Sequence, residues 1–280
     1  MARGRRGGSG DGALLPRLFR AAGLLVSREV AVLMSAIAFN VLLCLFPLLL
    51  VLVAAGQRLA PGSGTAQVLR LLVEELIPFG GEVLATSLRQ MTRLARGFEI
   101  LSLVLIVWGS SGVFMPVEMV LDRVWGGGGP RSFWKSRLLA FALTVAGGAL
   151  ALLSVALTVL VRGFGKGWPS VAGGAAKAGA LLLSWTLFLL VYRLVPRARV
   201  DLRLAARSAL WAAVLWEASK YAFVWNLGRM QLQTFYGPLA FAVSLVLWAY
   251  VSSVVLVFGA AVTRRPPSAP GGRAAGGGRG

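Results

Sequence analysis

Two ionisable side chains, Glu217 and Lys220, stand inside the apolar run AARSALWAAVLWEASKYAFVW at residues 205–225. Read as a membrane-spanning helix and counted from Arg207 at ~1.5 Å per residue, this run puts Glu217 roughly 15 Å into a hydrocarbon core about 30 Å thick. That depth is near the midplane, where an ionised group costs about 2.5–3.5 kcal/mol on insertion scales. Both side chains must then face protein or trapped water. Their i, i+3 spacing sets them on one helix face, where they neutralise each other. An intramembrane acid can carry a proton or hold a cationic group, and the lysine can hold an anionic headgroup. The same spacing also fits a buried pair that only packs.

Other residues are candidates to complete a substrate or proton site around that pair. Asn40, Cys44 and Pro47 recur at i, i+4 and i+7 and make a weakly polar stripe on the first apolar segment. Pro47 cannot donate to the Leu43 carbonyl and is expected to kink that helix. A kink beside an asparagine suits a broken, site-forming helix, although Asn40 as interhelical hydrogen-bond glue is the plainer reading. Trp108 opens the small-residue patch Gly109-Ser110-Ser111-Gly112, which favours close helix approach. Pro116 then breaks the regular hydrogen bonding.

Glu118 and Asp122 share a face four residues apart, with Arg123 directly after. Acids are disfavoured at a helix C-terminus, so the two are expected to pair with the basic stretch RSFWKSR at 131–137. As a catalytic carboxylate pair they lack a ligand-type neighbour in sequence. Tyr236-Gly237-Pro238 is a candidate structural motif, a turn with proline at the first helical position. It leads into a last apolar run carrying Trp248 and Tyr250.

Composition sets the class. Hydrophobic residues make up 57% of the 280, charged residues 14%, and mean hydropathy is +0.76. This is an integral membrane protein and not a soluble globule. A net charge of +19 would suit a nucleic-acid partner, but the basic residues cluster at the ends of apolar segments, as orientation signals do. No nucleic acid is expected. Histidine is absent and the 10 acidic residues are scattered, so neither a metal nor a cofactor is expected. The lone cysteine, Cys44, excludes an internal disulfide. The glycine run at 126–129 lacks both the Walker lysine-serine and the dinucleotide spacing, and reads as a hinge.

The expected fold is all-α: a polytopic six-transmembrane-helix bundle over residues 13–263, between basic tails at 1–12 and 264–280 predicted to be disordered. The spans fall at about 30–55, 99–121, 138–161, 176–193, 205–227 and 238–262. Before the first, residues 13–28 alternate leucines and arginines. Leu14, Leu18, Ala21, Ala22 and Leu25 form one face of an amphipathic helix suited to the anionic inner leaflet, or of a basic flank that only orients the first span. The first external segment, 57–98, holds two further amphipathic pieces expected to cap the outer surface. With six spans both termini share a side, which collects 19 Lys and Arg against nine opposite, Lys220 being intramembrane. The positive-inside rule puts both termini in the cytoplasm.

AFNVLLCLFPLLL in span one, WGSSGVFMPVEMVLDRVW in span two, YRLVP before the basic loop, LWAAVLWEASKYAF in span five and YGPLAFAVSLVLWAYVSSVVLVFGA in span six occur here in that order. Together they resemble the YihY/BrkB family of bacterial inner-membrane proteins, some once labelled ribonuclease BN, from about Pro16 to Val262. The resemblance implies a six-helix inner-membrane protein with both termini inside. Family members have been described as candidate transporters and as virulence-associated, serum-resistance factors. Two positions depart from the family pattern. Asp122 stands where an asparagine is typical, and Ala261 stands where a glutamate is usual near the end of span six.

Three functions fit these residues. One is a transporter or exporter of an amphiphilic or lipid-like substrate, using Glu217 and Lys220. Another is a structural or envelope-associated membrane protein in which the pair only packs. The third, a membrane-bound hydrolase or ribonuclease, lacks a recognisable constellation, so the chain is not expected to be an enzyme. The sequence leaves oligomeric state open.

Overall fold

The computed structural model describes residues 14–59, 99–127, 133–164 and 169–264. Among them the regular elements are all helical: α1 (Leu14–Val26), α2 (Arg28–Leu59), α3 (Glu99–Trp125), α4 (Phe133–Phe164), α5 (Pro169–Leu194), α6 (Leu202–Leu227), the short α7 (Leu232–Tyr236) and α8 (Ala240–Val262). Lys177–Leu194 and Ala240–Val262 are long and apolar enough to cross a membrane, with a third span if Pro16–Val26 and Arg28–Cys44 count as one bent segment. The outer amphipathic pieces expected within 57–98 lie almost wholly outside the described residues.

The bend between α1 and α2 is 71° and falls at Ser27. The Ser27 hydroxyl donates to the Leu24 carbonyl at 2.6 Å and closes α1, while its own carbonyl accepts the first α2 bond from Ala31 at 3.0 Å. Serine suits such a joint because its side chain competes for the backbone groups a continuous helix would use. The face that α1 buries is largely the expected one, since Leu18, Ala21 and Leu25 pack inward. Ala21 is buried with Leu18 and Leu24 beside it, against Ala261, Val262 and Phe258 of α8, whereas Ala22 is exposed. Docking on the end of α8, which the sequence did not reveal, selects this stripe.

The helices α2 and α3 run through Pro47 and Pro116 respectively. Span four extends, as its small residues allow, back to Pro169. Before α8, Gly237 has φ +51°, a conformation cheap only for glycine. Pro238 then enters a single 3-10 turn, Gly237–Leu239, at one of its first two positions.

The described core gathers where α2, α4 and α6 begin and α3, α5 and α8 end. Val30, Met34 and Ile37 meet Val117, Val120, Leu121 and Val124 there, with Tyr192, Val195, Val257 and Ala260. Small residues bring the backbones together. Ala205, Ala209 and Ala212 form a buried i, i+4, i+7 stripe on α6. A Cβ placed on Gly259 of α8 would lie 2.6 Å from the Ala212 Cβ and 2.8 Å from the Tyr192 hydroxyl. In a lipid solvent such close packing, and not hydrophobic exclusion, holds helices together. The Tyr192 ring is fully buried, and its hydroxyl donates to the Leu256 carbonyl at 2.6 Å.

Candidate functional site

The polar residues singled out in the sequence fall into separate groups. Glu217 and Lys220 form an ion pair at 2.8 Å, with side chains 21% and 13% exposed. Ser184 of α5 donates its hydroxyl to the other Glu217 oxygen at 3.0 Å. Both carboxylate oxygens are therefore engaged, one by Lys220 and one across the helix interface. Ser184 is a residue that sequence reasoning missed. Its signal is that it interrupts the apolar stretch LLLSWTLFLL of span four.

Aromatic residues flank Lys220 along α6. Trp216, Lys220 and Phe223 follow at i, i+4 and i+7 on one face of α6. Both flanking rings meet Trp248 of α8, with centroids 5.0 Å and 5.1 Å away. Trp248 is 4% exposed and packs the interior against these two rings. The rings continue through Phe188 and Tyr192 of α5 to Trp125 at the end of α3, with centroid separations of 6.2, 5.9 and 5.4 Å.

Glu118 and Asp122 lie elsewhere, at the end of α3, and meet a cation outside the expected stretch 131–137, of which Arg131 is not among the described residues. Arg197, in the loop between α5 and α6, donates from Nε to Glu118 Oε1 at 2.8 Å and approaches Asp122 Oδ2 at 3.6 Å. Its backbone N–H donates to Asp122 Oδ1 at 2.8 Å. Arg197 reaches this end of α3 because YRLVP turns the chain back onto it. Tyr192, Val195 and Pro196 are buried, and Arg193 hydrogen-bonds the Val200 carbonyl to close the turn. The Glu118 hydrogen bond holds the Arg197 guanidinium above its ordinary pKa. Burial pushes the Asp122 carboxyl up, and Arg197 opposes the rise. Ser184 precedes Leu194 on α5 by ten residues, so the two clusters lie roughly 15 Å apart along the bundle.

Asn40 belongs to neither cluster. Its amide donates to the Ala36 carbonyl of its own helix at 2.8 Å, and its carbonyl oxygen faces Gly112 so closely that a Cβ there would collide. The small-residue patch on α3 thus admits α2, as expected for Gly112. The side chains of Pro47 and Trp108 lie outside the described residues. Among the described residues no group of three or more Cys, Asp or Glu side chains converges to hold a metal ion.

With this geometry in place, comparison with known proteins defines the class. The family described as Virulence factor BrkB matches residues 24–273. The chain belongs to that YihY/BrkB family and is a membrane protein. It is 29% identical over 245 residues to a UPF0761 membrane protein of Aromatoleum aromaticum, covering 84% of this chain and 59% of that one. A UPF0761 membrane protein of Chromohalobacter salexigens is 29% identical over 237 residues, covering 81% and 57%. That of Actinobacillus pleuropneumoniae is 27% identical over 207 residues, covering 72% and 75%. The chain thus spans just under three-fifths of the length of the first two relatives. No solved structure matches it.

Proposed function

We propose that this chain is a six-span protein of the bacterial inner membrane that transports an amphiphilic or lipid-like substrate, with both termini cytoplasmic. The observation that carries this reading is the charged pair inside α6. Ser184 holds Glu217 across the helix interface, and Trp216 and Phe223, on either side of Lys220 along α6, pack on Trp248. A carboxylate and an ammonium beside an apolar aromatic wall suit a ligand with a charged head and an apolar body. The excess of Lys and Arg on the side of the termini supports the orientation. Six helices longer than 20 residues, α2 to α6 and α8, support the span count. Without an ATP-binding motif, uphill movement would draw on an ion gradient or a partner.

One observation favours a second reading, a non-transporting structural protein: both Glu217 oxygens are already satisfied. The deciding experiment is native mass spectrometry of the protein released from a gentle detergent, beside Glu217→Ala and Lys220→Ala. A defined amphiphile retained by the wild type and lost in either variant is the expected result, and it names the substrate class. Bare protein in all three, with equal stability, would replace transport with scaffolding.

A further inference from the structure

A cavity of about 550 Å³ opens at the joint between α1 and α2. Three arginines from different parts of the chain line it: Arg28 at the start of α2, Arg123 in the last turn of α3 and Arg264 just beyond α8. Glu29 is the one carboxylate among its lining residues, and Leu24 and Val30 give it an apolar wall. Glu29 pairs with Arg123 at 2.5 Å, but both side chains are more than 60% exposed. Such a pair holds its partners weakly and leaves them accessible.

Arg28 is the residue that needs an explanation. It is the first residue of a 32-residue helix, at the positive pole of the macrodipole, where cations are disfavoured and anions bind. Arg123 and Arg264 suit the negative ends of α3 and α8, yet they converge on the same cavity. Three guanidinium groups against one carboxylate leave an excess of positive charge around a helix N-terminus. A phosphate oxyanion relieves that excess, and guanidinium forks match its geometry.

We propose that this cavity binds the phosphate headgroup of an anionic glycerophospholipid, with the glycerol and upper acyl chain against Leu24. The setting favours a lipid over free phosphate. Phe19 and Val26 of α1 are 76% and 83% exposed beside Arg17 and Arg20, a pattern suited to a helix lying in the headgroup layer. The site lies apart from Glu217 and Lys220 and stands whether or not those residues transport anything.

The test is calorimetric titration of the full chain in a non-ionic detergent with short-chain phosphatidylglycerol, phosphatidylcholine of the same chain length, and inorganic phosphate. Phosphatidylglycerol is expected to bind saturably, and phosphatidylcholine is not. Arg28→Gln and Arg264→Gln each weaken binding about fivefold. Glu29→Gln tightens it, a gain that misfolding would not produce. Full binding in the Arg28→Gln/Arg264→Gln variant together with its loss in Glu217→Gln would place the lipid at the α6 pair and overturn this site, which separates the two readings. Equal binding of the two lipids, or wild-type affinity in the Arg28→Gln/Arg264→Gln double variant with an unaltered melting temperature, would overturn the proposal. Saturable binding of inorganic phosphate that displaces phosphatidylglycerol would overturn the lipid assignment.

Discussion

The two ionic clusters of this protein do opposite work with similar groups. At the end of the bundle, Arg197 reaches from the α5–α6 loop to Glu118 and Asp122 of α3, fastening segments more than 70 residues apart. Inside α6, Glu217 and Lys220 neutralise each other within one turn, and Ser184 ties Glu217 to α5. The first cluster joins elements and is part of the fold. The second pairs neighbours on one helix, with Ser184 of α5 on one Glu217 oxygen. The first cluster is cross-linked between elements, whereas the second is paired locally.

That contrast can be broken by substitution. Arg197→Ala should be the most damaging change, because it leaves the buried Glu118 carboxylate without its guanidinium. A loss of about 2–3 kcal/mol is expected after discounting for the partial exposure of Arg197, read as a lowered melting temperature in detergent. Gly259→Ala should follow, at about 1–3 kcal/mol, since the added methyl meets Ala212 backbone and side chain with no room to yield.

Glu217→Gln should cost about 1 kcal/mol or less, because an amide still accepts from Ser184 while Lys220 loses its counter-charge. A Glu217→Gln/Lys220→Met double variant should recover that loss. If the double variant also kept full biological activity, the pair would belong with the structural cluster. The smallest effect is expected for Asp122→Asn. Burial raises the Asp122 pKa from its ordinary 3.8, so the folded state binds its proton more tightly than the unfolded chain. Stability should therefore fall as pH rises through the interval from 3.8 to the raised value, and level off above it. The asparagine variant should lack that slope while keeping the acceptor for the Arg197 N–H, and unfolding measured across pH would show a steeper wild-type curve.

Much of this was legible in the sequence. The pair at i, i+3 was visible because helix geometry alone places Glu217 and Lys220 together, and Gly112 because small residues in an apolar helix signal close approach. Pro238 was readable because proline and a positive-φ glycine have few other uses. Arg197 was not legible. Its contact depends on YRLVP folding back onto α3, and nearer arginines offered equally good charge. On α1, Leu18, Ala21 and Leu25 were legible as one face, but their cover by α8 was not, since amphipathicity shows that a helix has an apolar side and not which neighbour will meet it.

The sequence by itself determined the class: long apolar helices, basic ends, a family pattern and one sheltered ion pair, all properties of local composition and a period of about 3.6 residues. Tertiary structure alone decided which cation meets Glu118, which serine meets Glu217 and which arginines surround the α1–α2 joint. Those choices rest on contacts between residues far apart in the chain, and helical periodicity carries no record of them.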